Sequence, residues 1–227
     1  MSFFDFIERK NRKYSLVGDK PIFDNELFLF IPEIESNFPA IRRELDSILM
    51  TPGNIPSFQD VLQEENLTTR ENWKSFFFYL FGHTIHENCK RCPITTRTLK
   101  LIPGMRTAFF SILKPNVHLP AHRGPFNGVL RYHLGLKIPA KAQNCLIRVH
   151  NSFASWECGK SIVFDDSYDH EVWNNTDEER VVLFVDFLRP LPVWLSIVNK
   201  LCLFLSKYLI KEVREGKKYL EKADIRP

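Results

Sequence analysis

His122–His133 reads HRGPFNGVLRYH, and downstream Asp165–Trp173 answers it with DDSYDHEVW. His122 and His170 each stand beside turn formers at the end of a short strand-like run, and Arg180 opens the next such run, RVVLFVDFL. Two neutral imidazoles that leave coordination positions open, with a cation for a more distant carboxylate, form the set that an oxygen-activating iron site holding an α-keto acid needs. Paired histidines on strands also occur in ordinary cores and interfaces, so spacing alone leaves both readings open. The generic His-x-Asp/Glu element of such iron sites is missing. His122 is followed by Arg123-Gly124, and no other histidine has an acid two residues on.

Working outward, short apolar segments alternate with turn formers from Arg106 onward. The spacing predicts strands at Arg106–Lys114, Val129–Ile138, Cys145–Val149, Ser161–Phe164, Glu171–Trp173 and Val181–Leu188. The separators, such as Pro115-Asn116, Pro139–Gln143, Glu157-Cys158-Gly159 and Asn174–Asp177, are rich in turn residues. Many short strands at this pitch predict a sandwich or jelly roll rather than βαβ units. Upstream, the aromatic run Trp73–Phe81 ends at Gly82 and predicts a buried strand. A helix is predicted from Pro39, with Ile41, Leu45, Ile48 and Leu49 on one face, and a shorter one from near Pro93 to Ile102. Met1–Phe30 reads as mixed, with a turn at Gly18–Pro21, and Thr51–Thr69 as a loop with a short helical piece.

Beyond Pro190 and Pro192, Trp194, Ile197, Val198, Leu201, Cys202, Leu205, Tyr208 and Leu209 recur at helical spacing, and a charged tail, Lys211–Arg226, follows. The expectation for this amphipathic helix is core cover. The alternative is peripheral membrane contact through residues 191–210, with Lys200, Lys207, Lys211 and Lys217 on or beyond the polar side.

A chain of 227 residues, 44% hydrophobic, is long enough for one sizeable core. The expected organisation is a single domain, 1–227, with a helical and strand flank (1–104), a core (105–190) and a C-terminal helix with its tail (191–227). The net charge of +4 is mild, and no dense Lys/Arg block marks a nucleic-acid groove. Five scattered cysteines suit reduced thiols in a cytoplasm better than a disulfide framework. Cys89 and Cys92 form a CxxC with no second ligand pair, so opening a helix is the expected role there rather than zinc. The first turns carry Asp5, Glu8, Arg9 and Lys10, unlike a secretory signal, and no apolar run is long enough to predict a membrane span.

The wording goes further than the spacing. HRGPFNGVLRYHLGL, then SWECGKSIVFDDSYDHEVWN, then RVVLFVDFLRP, in that order, resembles the aspartyl/asparaginyl β-hydroxylase family of Fe(II)/2-oxoglutarate dioxygenases, which includes bacterial enzymes that hydroxylate lipid acyl chains. The likeness runs from about Arg106 to Pro190. It implies a mainly β, cupin-like double-stranded β-helix (jelly roll) with flanking N- and C-terminal helices and a metal in the barrel mouth.

The resemblance also implies roles. Iron would have only His122 and His170 as protein ligands, because the peptide-modifying members carry glycine where Gly124 stands. Lipid-hydroxylating members tend to have aspartate there, and this chain departs from them. Asp166 could accept a hydrogen bond from a metal-bound water, or could be a plain turn residue. Arg180, Ser111 and His133 match the residues around 2-oxoglutarate. Arg131 matches one of two arginines that grip a substrate carboxylate, and Val129 stands where the other is expected. The implied activity is hydroxylation of an unactivated C–H bond with Fe(II), O2 and 2-oxoglutarate, first on an aspartyl or asparaginyl residue of a peptide and alternatively on a lipid acyl chain. A non-catalytic jelly-roll binding module is a further alternative, against which the joint retention of His122, His170 and Arg180 speaks.

Overall fold

Period-two alternation in the long strands, apolar on both faces, calls for cover on both sides of one sheet. The computed structural model describes residues 3–50, 55–62 and 67–209 and supplies that cover. In chain order the elements are α1 (Phe3–Tyr14), β1 (Ile22–Phe23), α2 (Ile31–Ser36), α3 (Phe38–Met50), α4 (Phe58–Val61), β2 (Trp73–Leu80), β3 (His83–Thr84), α5 (His86–Arg91) and α6 (Pro93–Leu99). There follow β4 (Met105–Leu113), β5 (Val117–His122), β6 (Val129–Lys137), β7 (Cys145–Val149), β8 (Ser152–Ser155), β9 (Ser161–Phe164), β10 (His170–Asn174), β11 (Arg180–Leu188) and α7 (Val193–Leu209). The strands form a seven-stranded sheet, ordered β1-β9-β6-β11-β4-β2-β3, and a four-stranded sheet, ordered β5-β10-β7-β8. From β4 to β11 the chain passes back and forth between the two antiparallel sheets, which makes the jelly roll the sequence predicted.

The large sheet's outer face carries Phe76, Phe78, Phe110, Tyr132, Leu134, Leu183, Val185 and Phe187, packed against Ile34, Ile41, Leu45 and Leu99 of the helices. Its inner face carries Trp73, Phe77, Phe109, Val182 and Phe184, which meet Leu119, Ile147 and Val172 of the small sheet. Phe77, Phe109 and Phe184 lie on neighbouring strands, with ring centroids 4.5 and 4.2 Å apart. Such pairs add about 0.5–1.5 kcal/mol each beyond simple burial. The strand Trp73–Leu80 lies in the 1–104 flank, yet it pairs along most of its length with β4 and is part of the barrel.

Three features differ from the sequence expectation. The mixed segment Met1–Phe30 holds α1, whose apolar residues recur at helical spacing although only Ile7 and Asn11 are buried. Strand β8 has no sequence counterpart, and β5 is marked only by the short run that ends at His122: β5 buries two residues and β8 none. The third difference is at α7. Trp194, Ile197, Leu201 and Leu205 of its predicted core-covering ridge are exposed, while Leu195, Asn199 and Cys202 are buried. Apolar residues run nearly all round this helix, so their period does not select the docking face. The core-cover expectation is therefore corrected: α7 packs by a narrow seam and turns its broader apolar side outward. The tail from Lys211 and the side chain of Lys207 lie outside the described residues.

All five cysteines are free. Cys89 lies in α5 and Cys92 directly precedes α6, where burial pushes its thiol up to about 12. Among the described residues no helix is long and apolar enough to cross a membrane.

Gly135 on β6 marks the tightest seam of the barrel. Its N–H donates to the Lys160 carbonyl at 3.0 Å, and its carbonyl accepts from Gly159 at 2.9 Å. A Cβ here would stand 2.1 Å from the backbone oxygen of Glu157. Gly135→Ala is expected to lower the unfolding free energy by about 1–3 kcal/mol or more, read as a lower urea midpoint. An unchanged midpoint would mean that the 157–160 loop does not press on β6.

Candidate active site

Antiparallel pairing places His122, the last residue of β5, directly opposite His170, the first of β10. Their ring centroids are 4.1 Å apart. The Nδ1–H of His122 donates to the Pro120 carbonyl at 2.7 Å, and that of His170 to the Tyr168 carbonyl at 3.0 Å. A carbonyl can only accept, so each ring keeps its Nε2 lone pair, the form that ligates a metal. Burial keeps both rings neutral. The His170 pKa is pushed down to about 3 by burial, then by His122 and Arg131; that of His122 is lowered by burial more than its carbonyl bond raises it.

Both histidines line one pocket between the sheets with Ser111, Arg131, His133 and Arg180; Trp73, Leu119, Ile147, Phe164, Val172 and Phe184 wall it. Ser111 on β4, Arg131 and His133 on β6 and Arg180 on β11 all point to the inner face because each strand alternates. Arg180 is 2% exposed, and its guanidinium lies 4.6 Å from the Trp156 ring. Among the described residues no ion pair reaches it, its Nε has no acceptor, and burial lowers its pKa to about 10. His133 accepts at Nδ1 from the Trp156 indole N–H at 3.3 Å. An indole nitrogen only donates, so the His133 proton sits on Nε2, which is buried without a partner. Ser111 accepts from the Trp73 indole at 3.0 Å and keeps its hydroxyl hydrogen to give. The pocket thus holds a cation and two further donors with nothing to receive them. It is built for an anion.

Asp166 lies against Gly124, the residue at the acid position of the generic His-x-Asp/Glu element. A Cβ on Gly124 would stand 2.2 Å from Asp166 Oδ2, so the Asp166 carboxylate fills the space that a side chain at 124 would need. The Gly124 N–H also donates to the Asp166 carbonyl at 2.7 Å. Asp166 is fixed by Arg131, whose Nη2 lies 2.9 Å from Oδ2 and whose Nε lies 2.9 Å from Asp186 Oδ1. The guanidinium also covers the Phe184 ring at 4.3 Å. Arg131, expected to face a substrate carboxylate, lines the pocket but already holds two carboxylates of its own chain. Among the described residues no group of three or more His, Cys, Asp or Glu side chains forms a metal cage.

Residues 35–190 match the aspartyl/asparaginyl β-hydroxylase family. The chain belongs to that family. It is 44% identical to the ornithine lipid ester-linked acyl 2-hydroxylase of Rhizobium tropici, a match covering 98% of this chain and 80% of that protein. It is 38% identical to human aspartyl/asparaginyl beta-hydroxylase over 56% of this chain, which is only 17% of the human protein. A cupin barrel protein of Salinispora arenicola matches over 62% of this chain and 93% of its own, with 11% identity and a TM-score of 0.34.

Sequence reasoning overlooked Trp156 and Asp186 in this family site. Asp186 is four residues beyond Val182 and six beyond Arg180, so strand alternation alone puts it on the pocket face. Trp156 sits in the quoted block SWECGKS, but nothing local says that its ring meets Arg180 and its N–H meets His133.

Gly124→Ala is expected to push the Asp166 carboxylate aside at a cost of about 1–3 kcal/mol. Because both changes act on one contact, Gly124→Ala with Asp166→Ala should cost less than the sum of the two singles. Urea unfolding of the three variants checks this; strict additivity would break the proposed contact.

Proposed function

We propose that the protein is an Fe(II)/2-oxoglutarate-dependent dioxygenase that hydroxylates an acyl chain of a membrane lipid. The catalytic half of this reading is carried by Arg180, a cation buried without a counter-ion among the described residues, in one pocket with two neutral histidines that face one another. A buried charge without a partner is costly, so a pocket that keeps one calls for an anionic ligand. His122 and His170 would hold the iron through Nε2. Arg180 would take the far carboxylate of 2-oxoglutarate, helped by Ser111, and the His133 Nε2–H would donate to a co-substrate oxygen. Asp166, steadied by Arg131, would accept a hydrogen bond from a water in the position left by the absent third ligand. The apolar wall of Leu119, Ile147, Phe164, Val172 and Phe184 keeps bulk water from the reacting C–H bond. Iron, O2 and 2-oxoglutarate together supply the oxidant that turns C–H into C–OH, with succinate and CO2 as co-products.

The acyl-chain reading draws on the Rhizobium tropici relative, whose match spans 98% of this chain. Gly124, the departure from lipid-hydroxylating members, does not weigh against it, since Asp166 takes up that space. The aspartyl/asparaginyl reading rests on the family and the human relative. It needs an arginine to grip the substrate carboxylate, and Arg131 is committed to Asp166 and Asp186.

His122→Ala or His170→Ala should abolish 2-oxoglutarate turnover, whereas Asp166→Asn should only reduce it; full iron occupancy and turnover in His170→Ala would sink the assignment. Arg180→Ala should raise the KM for 2-oxoglutarate by the equivalent of about 2–5 kcal/mol of binding while the fold persists, and an unchanged KM would make Arg180 a structural cation. Mass spectrometry of lipid extracts and of peptides, with and without the gene, should find the gain of one oxygen in the lipids. A gain confined to peptides would return the substrate to an aspartyl or asparaginyl residue.

A further inference from the structure

We propose that α1 and α7 together form a docking surface for an anionic lipid bilayer at the rim of the barrel. On α7, Trp194, Ile197, Leu201, Phe204 and Leu205 form one exposed stripe, with Ile197 at 63% exposure. On α1, Phe3, Phe4, Phe6 and Tyr14 are exposed, Phe3 at 64%. The two sets adjoin. The Tyr14 and Trp194 rings meet edge to face at 5.5 Å, and the Leu16 N–H donates to the Pro190 carbonyl at 3.0 Å. Scattered exposed apolar residues are normal on a protein, whereas a joined surface on two helices marks an interaction site.

Charge selects lipid as the occupant. The Lys10 ammonium lies 5.3 Å from the Phe6 ring and 5.7 Å from the Tyr14 ring, and that of Lys13 lies 5.4 Å from the Tyr14 ring. Protein interfaces deplete lysine at their apolar centre, whereas lysines laid over aromatic rings suit the boundary between acyl chains and anionic headgroups. Glu8 of α1 turns inward, accepting from Arg123 and from the Asn127 N–H, and so does not offset the lysines beside the exposed rings. The sequence of α7 has no acid across its seventeen residues and carries Lys200 and Lys207.

Position completes the argument. Through Glu8 and Asn11, α1 holds the segment just after His122, at Arg123 and Asn127. Its Arg12 donates to Ser167 Oγ at 3.1 Å and covers the Tyr168 ring at 4.4 Å, just before His170. From the other helix, the Asn199 amide donates to the Gly128 carbonyl at 2.8 Å. The two helices are thus anchored to the loops that flank both histidines, and a bilayer bound to them would lie on that side of the barrel. The proposal rests on the acyl-chain reading for its purpose but not for its test.

The test is co-sedimentation of the full-length protein with phosphatidylcholine vesicles, with and without phosphatidylglycerol, alongside 2-oxoglutarate consumption by the same samples. Binding is expected to need phosphatidylglycerol and to weaken with salt, because exposed charges are screened over about 8 Å at physiological ionic strength. Trp194→Glu with Ile197→Glu should lower partitioning by about tenfold or more, and Lys10→Glu with Lys13→Glu should remove its salt dependence. Both pairs should leave 2-oxoglutarate consumption unchanged. Vesicles should also shift the tryptophan emission of the unsubstituted protein to the blue, and Trp194→Glu with Ile197→Glu should remove that shift. Failure to bind vesicles by a protein that still consumes 2-oxoglutarate overturns the docking surface and spares the catalytic reading. Binding without consumption supports the surface and overturns the catalytic reading. A concentration-dependent dimer lost in Trp194→Glu with Ile197→Glu would assign the face to a second copy of the chain and overturn the proposal.

Discussion

The guanidinium of Arg180 is buried between two sheets with no carboxylate paired to it among the described residues, and much of the barrel's inner face is arranged around that charge. Removing an ion from water costs several kcal/mol even after relaxation. Trp156 offsets part of this with its ring face, by about 2 kcal/mol for a desolvated pair. The same indole spends its N–H on His133, which fixes that ring with its proton on Nε2, inside the pocket. One side chain therefore bears the cation and orients the nearest neutral donor. Replacing Arg180 by an apolar residue would make a better core and a worse receptor for an anion.

Gly124 leaves room for the carboxylate of an acid distant in the chain. A side chain at position 124 and the carboxylate of Asp166 compete for the same volume, and here glycine yields it. The arrangement has a structural cost, because an aspartate in a turn needs to be aimed. Arg131 does this by spanning Asp166 and Asp186 across the ring of Phe184. An arginine matched on sequence to a substrate grip is, in this chain, the clamp on a neighbouring acid.

What the sequence revealed follows from how local each signal is. Strands buried largely on both faces, such as Val129–Lys137 and Arg180–Leu188, were legible from their dense apolar wording, while the roles of His133 and Arg180 came from the family resemblance. Strand β5 was harder: only Val117 and Leu119 are buried, yet it carries His122. Helix α1 carries a helical apolar period within a stretch that reads as mixed, and its phenylalanines face solvent rather than the core. The outward turn of α7 could not be read, since a helix apolar nearly all round has no preferred face until Asn199 finds the Gly128 carbonyl. Long-range partners, Trp156 for Arg180 and Asp186 for Arg131, came only with the fold.

A buried network connects the surface helices to the site. Arg189, at the end of the last strand, pairs with Asp165 in full burial and donates from Nε to the Asn127 carbonyl at 2.7 Å. Asp165 lies beside Asp166 and accepts from the Ser167 hydroxyl at 2.6 Å; Asn127 accepts from the Asn11 amide and donates to the Glu8 carbonyl. The loop after His122, the loop before His170 and helix α1 are thus tied together by one arginine. A buried pair of this kind is weak evidence for stability, because its desolvation cancels much of its attraction. It is better understood through position. Strand pairing already sets His122 opposite His170, and the network adds to this by steadying the two loops that flank those paired strand ends. Because α1 is part of the join, whatever α1 rests on bears directly on the geometry of the two histidines.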